Sequence, residues 1–184
     1  TFEKQKYLDS DNKEHEKITK FVPNDPNEMT ICIVDHLYHL KKERGFQTKE
    51  VLDKFSEYCV ALKNMFGITF LNIQQFNRSL SSTERQKFKN VDLSPQESDF
   101  KDTGNTYQDA DVVLGTMNPF KLDMETMLDY QVDKLNEKLI MFKIIKNRLG
   151  SDNKAVGLYA NPKAGSFEEL PEANVIDYSK YIED

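Results

Sequence analysis

Cysteine and histidine are scarce in this 184-residue chain, at two and three residues. Two cysteines, Cys32 and Cys59, do not make a disulfide framework or a metal site. They fall in an expected strand and an expected helix and read as small buried hydrophobes of a reducing, cytoplasmic compartment. No apolar run approaches the length that spans a bilayer, and no basic-then-apolar leader is visible, so no membrane partner is expected. Positive charge is also short: 25 Lys and Arg stand against 31 Asp and Glu, a net charge of -6. That balance excludes a uniformly basic nucleic-acid surface, and any contact with phosphate has to be local. Nowhere does a Gly-x-x-x-x-Gly-Lys-Ser/Thr loop occur to cradle phosphates. Internal repeats and low-complexity tracts are absent too. The first residue is Thr1, not Met, as expected of a processed chain or a fragment.

What is present suffices for one full-sized domain with a core, at 38% hydrophobic residues and a mean hydropathy of -0.68. Residues 1–28 are dominated by Lys, Glu, Asp and Asn. They are expected to form a weak helix or loose polar arm ending in a turn, the alternative being disorder over the first dozen residues. Residues 29–34, MTICIV, read as a strand buried on both faces, as in a parallel sheet, with Asp35 where the run stops. Residues 48–66 place Val51 or Leu52, Phe55, Cys59, Leu62 and Phe66 at three- and four-residue spacing. That is an amphipathic helix, capped by Thr48 and stopped by Gly67. With a second strand at 68–73 it makes a right-handed βαβ unit with parallel strands.

Residues 79–97 are polar and without sustained period. Ser94-Pro95-Gln96-Glu97 starts a short helix, and another turn, capped by Asn105 or Thr106, runs through Ala110. Strands are expected at 111–117, 139–145, 155–160 and 166–170, with a broken helix or ordered loop over 122–138. Late antiparallel hairpins after an early parallel unit imply an α/β fold with a mixed sheet and flanking helices. Residues 171–184 read as an acidic tail.

Three groups of residues carry possible chemistry. Asp35 ends its strand at the carboxyl edge, where open α/β sheets bind ligands and where a carboxylate meets a hydrated or phosphate-bound Mg2+; the bland alternative is a cap. Gln75 leaves the second strand at the same edge, where a neutral amide can orient a water or sense a γ-phosphate; the alternative is an ordinary polar loop. Lys146 and Arg148, two apart in extended chain, point the same way as a compact cationic fork suited to transition-state charge on a phosphoryl group. A solvated basic turn is the plain reading of that pair.

Taken in order, the Asp35-His36 strand end, IQQFNR at 73–78, SDFKDTGNTYQDADVVL at 98–114 and KNRLG at 146–150 resemble the C-terminal half of the RecA-like ATPase core of DnaB-type replicative helicases. The resemblance covers about residues 29–170. It implies a P-loop NTPase core fragment lacking its P-loop strand, part of an ATP-dependent DNA motor acting in replication or repair. By that resemblance Asp35 is the Walker B residue that holds Mg2+ through water, and Gln75 senses the γ-phosphate of ATP. The resemblance likewise implies that Lys146 and Arg148 reach into the ATP site of a neighbouring subunit, in a homo-oligomer that forms a hexameric ring. The loop after Gln75 faces single-stranded DNA with Arg78, Arg85, Lys87 and Lys89 against one acid, Glu84, and Lys101 adds a further contact. The alternative for that loop is a solvated surface.

The departures are specific. The phosphate loop and its lysine are missing, and the acid that polarises the attacking water is expected upstream. His36 follows Asp35, so no glutamate beside it substitutes. Lys101 and Asp102 stand where the family has Arg-Glu. Losing a central P-loop strand should leave a gap in the core. A fragment of a longer ATPase, inactive alone, explains these departures most simply. The alternatives are a non-catalytic RecA-like assembly module and, further off, a metal-dependent hydrolase built on Asp35, His36 and His39, two histidines three apart.

Overall fold

The computed structural model describes residues 1–23, 25, 27–42, 44–76, 93–100 and 104–181. The chain divides into two compact units, residues 1–75 with 102–109 and residues 76–101 with 110–184. Each is described by itself.

The first unit opens with a β-hairpin, β1 (Phe2–Leu8) and β2 (Glu14–Phe21), and not with a helix or loose arm. The charged residues that suggest a solvated arm are the cross-strand partners of the ribbon. Lys4 meets Glu16 at 2.9 Å and Lys6 pairs with Glu14. Asp9 accepts the backbone N–H groups of Asp11 and Lys13, and Asn12 takes a left-handed φ of 59° to close the turn. At the base of the ribbon Phe21 lies 6.0 Å from Phe66.

The expected βαβ unit follows: β3 (Ile31–Asp35), α1 (Thr48–Phe66) and β4 (Thr69–Ile73), with β3 and β4 parallel. Gly67 ends α1 in the left-handed conformation at φ 69°, as the sequence requires. The cap is displaced by one residue. Gln47, not Thr48, stands at the N-cap, and its N–H donates to Glu50 Oε2 at 2.6 Å. The buried stripe of α1 is Leu52, Ser56 and Cys59, while Leu62 is exposed. A hydroxyl therefore occupies a position that the apolar period left out.

The β3–β4 pair departs from the sequence reading in burial. Cys32, Val34 and Phe70 on one face are half-buried. On the other face Ile31, Ile33, Leu71 and Ile73 are 51%, 62%, 49% and 42% exposed. A parallel pair is ordinarily covered on both sides, and here one side is open.

The second unit is built on an antiparallel sheet of order β10-β9-β8-β5, from β5 (Val112–Met117), β8 (Leu139–Asn147), β9 (Ala155–Asn161) and β10 (Ser166–Glu169). Parallel and antiparallel pairing are thus both present, in separate hydrogen-bonded ladders. The expected helix after Ser94-Pro95 is a 3-10 turn, Glu97–Phe100, and α2 (Gly104–Asp109) belongs to the first unit. Residues 122–138, expected as a broken helix or ordered loop, hold a two-residue hairpin and two short helical segments. These are β6 (Thr126–Met127), β7 (Tyr130–Gln131), α3 (Val132–Leu135) and a 3-10 turn at Asn136–Lys138.

The core of this unit gathers Met117, Met127, Tyr130, Val132, Leu135, Leu139, Met141 and Leu170. Tyr130 fixes its shape. Its hydroxyl donates to the Pro171 carbonyl at 2.7 Å, and a Cβ on Gly157 would lie 2.6 Å from its ring. The C-terminal segment is not a free acidic tail, because Ala173, Ile176, Tyr178 and Tyr181 pack against this core.

Candidate functional site

Asp35 is the last residue of β3 and pairs in register with Ile73, the last residue of β4. Gln75 follows two residues later and is exposed, as Asp35 is. The parallel register therefore brings Asp35 and Gln75 to one carboxyl edge, as the two strands require. Gln74, between the strand and Gln75, is half-buried and accepts a hydrogen bond from Thr106 Oγ1 at 3.3 Å. Thr106 belongs to α2. That six-residue helix is fastened to α1 where Ser56 Oγ donates to Asp109 Oδ2 at 2.6 Å. Thr106, on this helix, thus meets the residue just beyond β4.

His36 and His39 lie together with ring centroids 4.2 Å apart. His36 Nδ1 is buried and has no hydrogen-bond partner among the described residues. Yet no three His, Cys, Asp or Glu side chains converge among the described residues as a metal centre would need. The hydrolase alternative draws no support from the geometry. Burial pushes the Cys59 thiol up, and the Asn72 amide opposes that only in part. A thiol held neutral in this way suits packing, not metal binding.

Lys146 and Arg148 belong to the second unit. Lys146 lies on β8 opposite Val113. The strand ends at Asn147, so Arg148 stands in the turn beyond it and not in the same extended run. Two contacts place it. Its N–H donates to the Asp111 carbonyl at 2.9 Å, and its guanidinium Nη1 lies 3.4 Å from Asp111 Oδ1. Asn147 shapes the turn, accepting the N–H of Leu149 at 3.0 Å. The Arg148–Asp111 pair is long and solvated, and such pairs contribute at most about 1 kcal/mol.

Arg78, Arg85, Lys87, Lys89 and Lys101, the expected DNA contacts, lie outside the described residues. The segment that follows residues 77–92 is well anchored within the second unit. Ser94 Oγ accepts the ammonium of Lys143 at 2.8 Å, and Asp99, 2% exposed, accepts the N–H of Gln96 at 2.8 Å. Phe100 meets Phe76 edge-on at 5.1 Å. Gly115 on β5 admits this segment, because a Cβ there would stand 2.7 Å from Pro95 Cβ.

Three residues of consequence escaped the sequence reading, Ser56, Asp99 and Lys143, and Thr106 entered it only as a possible helix cap. For Lys143 a signal existed, since strand alternation puts it with Leu139, Met141 and Ile145 on the buried face. No comparable signal pointed to the burial of Ser56 or to the bond between Thr106 and Gln74, whose partners are 53 and 32 residues away.

A family model, the DnaB-like helicase C terminal domain, matches residues 9–169. No curated protein matches the chain. Among the described residues no helix is long and apolar enough to cross a membrane.

Proposed function

This chain belongs to the DnaB-like helicase C-terminal domain family and is RecA-like in fold, and we propose that it supplies the Walker B, sensor and finger parts of an ATP-driven motor on single-stranded DNA. The observation that carries the reading is the shared carboxyl edge of Asp35 and Gln75. One acid and one amide at that edge suit a Mg2+ held through water and a γ-phosphate sensed by a neutral group. Asp35 would hold the Mg2+ of Mg-ATP, and Gln75 would position the attacking water. Bound Mg-ATP supplies the phosphoryl group to be transferred. Lys146 and Arg148 act as cations on the ATP of a neighbouring subunit in a hexameric ring. Arg78, Arg85, Lys87, Lys89 and Lys101 form the local basic surface for DNA in replication or repair.

The open face of Ile31, Ile33, Leu71 and Ile73 supports a further part of the same reading. It fits an ATPase core whose P-loop strand and catalytic acid come from an upstream half. The lack of a P-loop in this sequence favours one other reading, a non-catalytic RecA-like assembly module.

The finger provides the test in the full-length, P-loop-bearing protein. Arg148→Ala should cut ATP hydrolysis by about a thousandfold or more while nucleotide binding survives. Mixing it with subunits disabled in their own P-loop should restore some hydrolysis, because one intact composite site can form. Mixed oligomers that stay inactive would refute a role in trans. Full activity of the Arg148→Ala protein would favour the assembly module.

A further inference from the structure

We infer that Thr106 is a positioning residue for Gln75, acting through the side chain of Gln74; this rests on the γ-phosphate role proposed for Gln75. The carboxyl edge of β4 passes from Ile73 to a half-buried Gln74 and an exposed Gln75. The half-buried amide accepts a hydrogen bond from α2, through Thr106 Oγ1 at 3.3 Å. A helix of six residues is too short to hold itself together in water. Ser56, donating to Asp109 at 2.6 Å from the long helix α1, gives it a fixed footing. Thr106 therefore presents its hydroxyl from a support anchored at its far end. Holding Gln74 by its side chain fixes the backbone from which the Gln75 amide projects.

Placement of that kind matters to catalysis more than to stability. A displacement of about 1 Å in a group that orients a nucleophile costs up to about a hundredfold in rate.

The experiment has two arms. In the chain as described here, Thr106→Val should speed hydrogen exchange at the Gln74 and Gln75 backbone amides at least about tenfold, Thr106→Ser should restore it, and α1 amides should be unaffected. Unchanged exchange would overturn the proposal without any appeal to ATP. In the full-length ATPase, Thr106→Val should lower kcat for ATP about ten- to a hundredfold with KM and the unfolding midpoint little moved. Thr106→Ser should rescue kcat, and Thr106→Val combined with Gln74→Leu should be no worse than either change alone. Gln75→Ala separates the two layers. If it abolishes turnover while Thr106→Val leaves kcat unchanged, the positioning role fails and the Gln75 role stands. If Gln75→Ala leaves turnover intact, both fall.

Discussion

Lys143 carries an ammonium into a nearly closed site, 9% exposed, where Ser94 Oγ receives it at 2.8 Å. Removing one partner of a buried polar pair costs more than replacing the charge itself by an apolar group of like volume. Ser94→Ala should therefore lower unfolding free energy by about 1–3 kcal/mol. Lys143→Met should cost less, or nothing, because no unpaired charge remains. Urea denaturation of the two variants gives the order directly, and the reverse order would show that the lysine, not its burial, is what the fold needs. Much at this scale was legible. The alternation of 139–147 assigns Lys143 to the inward face, yet its long stem lets a lysine at such a site reach water, so its partner could not be named. Ser56 was illegible for another reason. The apolar period of α1 skips a serine, and only Asp109, far along the chain, explains its burial.

At the scale of elements, the sequence makes visible those whose period matches their burial. Strands β5 and β8 show it in alternate burial, and Gly67 marks the end of α1 without ambiguity. The N-terminal hairpin was hidden because its pairing energy sits in Lys–Glu cross-strand contacts, which leave no apolar alternation. Asp9-Ser10-Asp11-Asn12 was the available clue, a turn sequence with a left-handed Asn. The basic stretch of 78–90 is legible in another way, as four cations against one acid on an acidic chain. Full-length protein should bind single-stranded DNA with little sequence preference and with affinity that falls as salt rises. Replacing Arg85, Lys87 and Lys89 by Ala should weaken binding and flatten the salt slope by up to about three counterions, since each cation releases roughly one. ATP hydrolysis without DNA should change far less. Equal affinity and equal slope in the triple variant would return this stretch to an ordinary solvated loop.

For the whole molecule, the sharing of parts between two units decides what the chain does alone. Asp35 and Gln75 lie on the first, Lys146 and Arg148 on the second, and no residue supplies a phosphate-cradling loop with its lysine. The Asp35–Gln75 edge was legible because parallel pairing follows from a βαβ unit, whereas the open apolar face was not, since the run 29–34 reads equally well covered on both sides. Electrostatic neutralisation of the β- and γ-phosphates is the largest part of phosphoryl-transfer catalysis, and a P-loop provides much of it through backbone N–H groups and a lysine. An acid and an amide at a sheet edge replace neither, because a carboxylate without its Mg2+ repels the nucleotide. The chain alone should accordingly bind ATP weakly and fail to hydrolyse it, measured as phosphate release above a protein-free control with Mg2+ present. Steady release from the purified chain, lost on Asp35→Asn, would show that this sequence builds a complete site without a P-loop. The upstream half proposed for the open Ile31–Ile33–Leu71–Ile73 face would then have no catalytic part left to supply.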